Sequence, residues 1–227
     1  MDKRIIKDLL YEQVSRIGKS LSSPKRLELL ELLAQGEKSV EVLSDALSIE
    51  IKLASAHLKV LREARLVVAR KDGKFVFYRL ASDDVAGLWV SLRETAMEHL
   101  VELRVAVSNM AATPDKLASI SREQLLEQAK RGTIILLDVR PRSEFDHSHL
   151  PFARSMPVDE IEHRLAELPK SKEIVAYCRG PFCVFAEEAA HLLRLNRRKV
   201  SKLLDGVAEW RAAGLPLKSE EAHNGQH

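Results

Sequence analysis

The second half of the sequence alternates between amphipathic segments with helical spacing and short apolar segments with strand character, and this alternation constrains the fold most strongly. The segments are Ser121–Lys130, Thr133–Val139, Ile161–Leu168, Glu173–Tyr177, Val184–Leu195, Val200–Leu204 and Val207–Ala213. Parallel strands need crossover connections, which are usually helices. The pattern therefore predicts an α/β domain with a largely parallel sheet.

Length and charge bound the remainder of the chain. A chain of 227 residues with 45% hydrophobic content can bury the cores of two small domains. The net charge is only +3, and the positive charge clusters in the first third of the chain. We predict a first domain over 1–109, a linker over 110–115, an α/β domain over 116–219 and a polar tail over 220–227.

The composition also indicates the compartment. No uncharged apolar run approaches the length of a membrane span, and the N-terminal segment is amphipathic rather than a signal-peptide core. We therefore expect a cytoplasmic protein with no membrane partner. The two cysteines are too few for a disulfide framework, and in a reducing compartment such a pair is more often catalytic or redox-sensing.

Both cysteines, Cys178 and Cys183, lie in one predicted loop between a strand and a helix. Backbone N–H groups and the helix dipole favour an anion at such a turn. Arg179 adds positive charge, Gly180 permits close backbone approach and Pro181 stiffens the loop, so these residues favour a nucleophilic thiolate at Cys178. The alternative interpretation is that Cys178 is a small buried residue at a strand end.

Cys183 is a candidate resolving cysteine. Its thiol could attack a persulfide or sulfenic acid on Cys178 and leave a disulfide or a sulfur-bridged pair. Such a bond requires a Cα separation below about 7 Å, which the sequence does not reveal. The alternative is that Cys183 is a buried residue at the start of the helix.

The first hundred residues show helical periodicity. The spacing predicts one helix that ends near Gly18 and a second that begins at Ser23-Pro24 and stops at Gly36. Two shorter helices follow, Ser39–Leu47 and Ile51–Ala64. The last of these is expected to turn three leucines inward, Leu53, Leu58 and Leu61. Two short helices joined by a tight turn predict a helix-turn-helix, whose second helix enters the DNA major groove.

A β-hairpin is predicted directly after this motif. The strands Leu66–Arg70 and Phe75–Leu80 flank an Asp-Gly turn. Three cations lie at its tip, Arg70, Lys71 and Lys74. A protruding basic hairpin beside a helix-turn-helix suits the phosphate backbone of DNA.

These motifs resemble the ArsR type of winged-helix repressor over about residues 10–100. The resemblance is carried by SPKRLELL at 23–30, AHLKVLREA at 56–64, and the Asp72-Gly73 wing that ends in YRL at 78–80. It implies a homodimer paired through its terminal helices, a palindromic operator in double-stranded DNA, and release of that DNA on a signal. By position it places five residues against the groove: Ile51, Lys52, Ser55, Ala56 and Lys59.

Metal sensing is not predicted. Metal-sensing members of the family carry cysteines on the helix equivalent to Ser39–Leu47, and this segment has none. His99 and Glu102 are three positions apart, as in a zinc site of some members. The other half of that site needs a histidine, and this chain has Val85 and Ala86 there instead. We expect His99 to be an ordinary helix residue and no metal or cofactor to be bound.

One long apolar stripe at helical spacing runs through the segment before the linker. Its members are Val85, Leu88, Trp89, Leu92, Ala96, Leu100, Leu103 and Val107. A single long helix with such a stripe needs a partner surface, and with the amphipathic first helix it predicts a dimer interface.

The second half resembles a rhodanese domain over about residues 116–217. The likeness is carried by the segments 138–140, 144–145, 149–151, 156–157, 178–183 and 204–206, followed by Trp210. It implies that Cys178 accepts a sulfane sulfur from a donor such as thiosulfate or a persulfide. The residues from Arg179 to Cys183 (Arg179, Gly180, Pro181, Phe182 and Cys183) would form the cradle of the persulfide.

Asp138 and Arg140 are expected to support this site. Asp138 would accept hydrogen bonds from neighbouring loops, and Arg140 would pair with Glu144. Phosphatases and arsenate reductases share the fold but place an arginine one position beyond Cys183, where this chain has Val184. Their chemistry is therefore disfavoured.

The sequence thus predicts two domains, a mainly α winged helix-turn-helix followed by an α/β rhodanese domain with a largely parallel sheet. The predicted function is a dimeric DNA-binding regulator whose sulfur or redox state at Cys178 sets its operator affinity. Two alternatives stay open: a sulfurtransferase merely tethered to DNA, and a metal- or arsenic-responsive repressor.

Overall fold

The computed structural model describes residues 2–110 and 120–220, and the chain divides into two compact units, 1–89 and 90–227. The first contains a three-stranded antiparallel sheet and the second a four-stranded parallel sheet. Both predicted fold classes are therefore confirmed. The predicted linker, apart from Met110, and the predicted tail, apart from Glu220, lie outside the described residues.

Four helices and three short strands build the first unit before helix α5 begins. They are α1 (Lys3–Leu21), α2 (Pro24–Leu33), β1 (Lys38–Ser39), α3 (Val40–Leu47), α4 (Ile51–Glu63), β2 (Val67–Asp72) and β3 (Phe75–Leu80). The expected end of α1 near Gly18 is wrong. The helix continues to Leu21, and the guanidinium of Arg26 donates to the terminal carbonyls of Lys19 and Ser20. These bonds satisfy carbonyls that a helix end otherwise leaves unpaired.

Helix α4 buries a different leucine set from the one expected. Leu58 and Leu61 are buried, but Leu53 is 47% exposed and Ala54 takes the inward position. Positions 54, 58 and 61 follow the i, i+4, i+7 spacing of one helix face, and position 53 lies one residue off that face.

The wing is present as predicted. Strand β2 pairs with β3 in a register that places Asp72 opposite Phe75, and Gly73 adopts φ 57° in the turn between them. Glycine adopts this left-handed conformation without a steric cost. Strand β1 adds a third strand to β3, which the sequence pattern did not predict because it is only two residues long.

The segment predicted as one long helix forms two. They are α5 (Asp83–His99) and α6 (Val101–Met110), and they meet at Leu100. Leu88, Leu92 and Leu100 of the predicted stripe are exposed, whereas Val85 and Trp89 are buried. The boundary between the compact units falls inside α5, between Trp89 and Val90.

The second unit continues with the α/β elements. They are α7 (Arg122–Arg131), β4 (Ile134–Asp138), α8 (Arg142–His147), β5 (Arg154–Ser155), α9 (Ile161–Arg164), β6 (Glu173–Tyr177), α10 (Phe185–Leu195), β7 (Val200–Lys202) and α11 (Val207–Ala212). All strands run parallel in the order β5-β4-β6-β7. A separate cluster of buried side chains packs on each face of the sheet, one around Ile174 and Leu193, the other around Tyr177 and Trp210. The central strands β4 and β6 therefore end at the same buried edge.

Candidate active site and nucleic-acid interface

The loop with both cysteines leaves the carboxyl end of the central strand β6. It runs from Cys178 to Val184, and helix α10 begins at Phe185. Asp138, the last residue of the neighbouring strand β4, lies in register with Tyr177. This edge is where open α/β sheets place their reactive groups.

The structure joins Cys178 and Cys183 as a disulfide across this loop, with their Cα atoms 6.4 Å apart. Cys178 is only 2% exposed, and Cys183 is partly buried. Between them, the N–H of Cys183 donates to the carbonyl of Gly180 at 3.1 Å, and Gly180 adopts φ 137°. The loop thus curls so that its two thiols meet, which the resolving role of Cys183 requires.

The guanidinium of Arg179 is directed at Glu144. Its Nη2 lies 2.8 Å from Oε1 of Glu144, and its Nε lies 3.1 Å from Oε2. The predicted pair between Arg140 and Glu144 is present, with Nη1 of Arg140 3.9 Å from the carboxylate, but Arg179 lies closer to it. The bidentate pair fixes the loop on α8.

Asp138 and Arg140 form a second ion pair beneath the loop, and both are fully buried. Nη2 of Arg140 donates to Oδ2 of Asp138 at 2.6 Å and to the Ser148 carbonyl at 2.8 Å. Burial, followed by the negative charge of Asp138, raises the pKa of Tyr177. The Tyr177 hydroxyl stays protonated and accepts the N–H of Leu150 at 3.1 Å.

A residue that sequence reasoning missed also contacts the loop. Arg93 on α5 pairs with Glu209 on α11, and both side chains are almost completely buried. A Cβ placed on Gly180 would lie 3.0 Å from Nη1 of Arg93 and 3.0 Å from Oε1 of Glu209. The Arg93 guanidinium also lies over the ring of Phe182, 5.7 Å from its centroid. No spacing signal could have brought Arg93 to a loop so distant in sequence.

A cavity of about 280 Å³ opens beside Cys183. Apolar side chains form most of its wall, including Met97, Val107, Val184 and Leu204. Cavities of this size accommodate small ligands.

The predicted groove-facing residues lie opposite the buried face of α4. Ile51, Lys52, Ala56 and Lys59 are exposed and Ser55 is partly exposed. In the wing, Lys71 and Lys74 are exposed, as phosphate contacts would require.

Arg70 has a different environment from the two wing lysines. Its guanidinium pairs with Glu37 at 2.6 Å and Asp72 at 3.0 Å, and it stacks on Phe77. These hydrogen bonds raise the pKa of Arg70. Its charge is partly neutralised by the two carboxylates, so Lys71 and Lys74 present the less compensated charge.

Neither a metal site nor a membrane-spanning helix is found in the part of the chain that the structure describes. Across 2–110 and 120–220, no cluster of three or more histidine, cysteine or acidic side chains is arranged to bind a metal ion. In the same ranges, no helix combines the length and the apolar character that a membrane crossing needs.

Comparison with known families gives one match in each unit. The model of the bacterial regulatory proteins of the arsR family matches residues 23–68, and the rhodanese-like domain model matches residues 121–213. The second match contains the cysteine loop and Glu209. Arg93 lies outside both matches.

Several relatives resemble the chain. The HTH-type transcriptional regulator Rv0324 of Mycobacterium tuberculosis is 42% identical over 93% of this chain and 92% of its own length. A sulfurtransferase of Allochromatium vinosum is 30% identical over 45% of this chain and 95% of its own. The solution structure of a homodimeric winged helix-turn-helix domain from Mycobacterium bovis is 41% identical, with a TM-score of 0.41, and covers 45% of this chain and 93% of that one.

Proposed function

Since this chain belongs to the ArsR family of transcriptional regulators and carries a C-terminal rhodanese domain, we propose a function that joins the two. Cys178 accepts sulfane sulfur, and this reaction changes operator binding. The observation that carries the proposal is the pairing of Cys178 with Cys183 across the loop at the end of β6. A loop that brings two thiols together can exist in distinct covalent states, which a sensor needs.

The first step is sulfur transfer to Cys178. The Cys178 thiolate attacks the outer sulfur of thiosulfate, the sulfur–sulfur bond of thiosulfate breaks, and sulfite leaves with the bonding electron pair. The product is a persulfide on Cys178. The Arg179–Glu144 pair holds the loop in shape during this exchange.

The second step closes the loop. The Cys183 thiolate attacks the inner sulfur of the persulfide, hydrosulfide leaves, and a Cys178–Cys183 disulfide forms. A small thiol reductant then restores both thiols and is itself oxidised to its disulfide. Sulfane sulfur therefore acts as the oxidant of the pair, and the loop returns to its starting state.

Intact-protein mass after thiosulfate treatment tests this sequence. Reduced wild type should lose the mass of two hydrogens as the disulfide closes, whereas Cys183→Ser, which cannot close it, should gain the mass of one sulfur. Protein with confirmed free thiols that shows neither change would contradict the proposal and indicate a rhodanese-like domain without sulfur chemistry.

The DNA-binding half of the proposal rests on exposure and charge. The exposed face of α4 would enter the major groove of a palindromic operator, and Lys71 and Lys74 would contact phosphates. Five large apolar side chains of α1 are exposed in the single chain: Ile5, Leu9, Leu10, Tyr11 and Val14. Exposed apolar side chains in this number are best covered by a second copy, so we propose a homodimer.

Lys71→Gln tests the wing. Binding should weaken to a similar degree on all DNA sequences, and the slope of log K against log salt should fall by about one for each bound protomer, since one phosphate contact is lost. Fluorescence anisotropy over a salt series measures both. Lys130→Gln, an exposed lysine of α7, is the matched control, and an equal effect of the two substitutions would contradict the wing contact.

A sulfurtransferase tethered to DNA without sensing is the second candidate. The sulfurtransferase relative covers the rhodanese half alone, and that likeness would hold equally for an enzyme. Operator affinity that is the same before and after sulfur uptake would favour this candidate.

A further inference from the structure

We propose that the buried ion pair between Arg93 and Glu209 couples the covalent state of the cysteine loop to helix α5. The inference rests on the proposed sulfur-accepting function. It adds the residues through which a change in the cysteine loop would be transmitted to the DNA-binding helices. Arg93 is a positioning residue here, since it acts through the loop and not on sulfur itself.

Arg93 contacts the part of the loop that has to change. Gly180 and Phe182 both lie between Cys178 and Cys183, and the Arg93 guanidinium packs against both of them. Closing the disulfide draws the two ends of this segment together, whereas a persulfide on Cys178 leaves them separate and adds one sulfur. Each covalent state therefore changes the position of the loop residues that Arg93 contacts.

Glu209, the partner of Arg93, lies against the same loop segment. Its Oε2 accepts the N–H of Gly206 at 2.6 Å, which fixes the start of α11. A Cβ on Gly206 would lie only 2.4 Å from the carbonyl oxygen of Cys178 and 2.8 Å from the carbonyl carbon of Arg179. The backbone that Glu209 fixes is thus in direct contact with the residue proposed to carry the sulfur.

Burial makes this pair difficult to separate. The side chains of Arg93 and Glu209 are 2% and 3% exposed, so parting them would separate two opposite charges in a site that water does not reach. When the loop rearranges, moving Arg93 together with its partner costs less than breaking the pair. Arg93 belongs to α5, which begins at Asp83, so a displacement of Arg93 is carried along a helix that starts before the rhodanese unit.

Linkage makes the coupling reciprocal. If the closed and open loops favour different positions of α5, they bind operator with different affinity, and operator in turn changes the equilibrium between the two loop states by the same factor. Couplings of this kind are typically about 5- to 150-fold in affinity.

The test compares operator affinity of the reduced and disulfide forms in three proteins. The probe is a DNA duplex selected in vitro from random sequence with reduced wild-type protein, and anisotropy gives each Kd. The first variant, Arg93→Met with Glu209→Gln, removes both charges and retains an amide oxygen to accept the N–H of Gly206. The control, Arg164→Met with Glu167→Gln, removes a partly exposed ion pair of 2.8 Å in the same unit.

We expect the wild type and the control to differ at least about 5-fold between the two forms, and the Arg93/Glu209 variant less than about 2-fold. The variant should still lose the mass of two hydrogens after thiosulfate treatment, as the wild type does. A variant that closes the disulfide with thiosulfate and keeps the wild-type shift overturns the coupling and leaves the proposed function standing. A wild type that closes the disulfide with thiosulfate but shows no shift overturns the sensing half of that function, and the coupling with it.

Arg93→Lys provides a second test if the double variant does not fold by circular dichroism. Lysine keeps the charge next to Glu209 but loses the planar guanidinium that lies over the Phe182 ring, so the shift should shrink to between the values of the wild type and the double variant. An unchanged shift in this folded variant also overturns the coupling.

Discussion

Replacing Cys178 by serine is expected to abolish sulfur uptake from thiosulfate and, with it, any response of operator binding to polysulfide. A serine hydroxyl ionises far less readily than a thiol and forms no persulfide, so no sulfur can be held at the end of β6. Intact-protein mass should show no added sulfur on the variant. Affinity of the untreated variant for operator DNA should equal that of reduced wild type, because serine leaves the loop without a bridge, as in the reduced protein.

Cys183→Ser is the matched control for this experiment. It removes the other thiol of the same loop and should still gain one sulfur. Equal loss of uptake in both variants would indicate that the two thiols act as one redox pair without a persulfide stage. Uptake by Cys178→Ser alone would reverse the assignment of acceptor and resolving cysteine.

The second large effect is expected from Arg140→Met. Its partner Asp138 is 0% exposed, so the substitution leaves a buried carboxylate without its counter-charge. Breaking a buried pair from one side typically costs about 3–5 kcal/mol of stability. Urea unfolding followed by tryptophan fluorescence in a Trp89→Phe background, where Trp210 of the same unit is the remaining tryptophan of the sequence, measures the change.

Arg142→Met is the control for this prediction. Arg142 pairs with Asp146 at 2.7 Å, almost the same distance as in the buried pair, but its side chain is 58% exposed. Exposed pairs contribute about 0–1 kcal/mol, so this variant should unfold near the wild-type midpoint. A loss of similar size in both variants would show that burial does not determine the cost.

The fold was predictable because its signals are local. The Ser23-Pro24 helix start, the two short helices and the Asp-Gly turn each depend on residues within a few positions of one another. The same holds for the cysteine loop, since β6 and α10 flank it directly in sequence. The buried face of α4 was predicted wrongly at Leu53, because apolar spacing alone does not distinguish it from its neighbour Ala54.

The ion pairs that support the cysteine loop were less predictable, because their members come from distant parts of the sequence. Arg179 pairs with Glu144, which lies 35 residues earlier, and Arg93 reaches Glu209 over 116 residues. Charge patterning detects partners three or four positions apart on one helix and carries no information about such pairs. The interruption at Leu100 also went unpredicted, since the apolar spacing continues through it without a proline or glycine.

The position of Arg93 on α5 limits where the chain can be cut into two separate domains. The rhodanese-like match begins at residue 121, so a fragment cut at that border would lack Arg93 and leave Glu209 without its ion-pair partner. Such a fragment would test a destabilised domain rather than the native one. A separable second half therefore has to begin on α5, before Arg93. The border at which the two functions can be separated thus differs from the border of the family match.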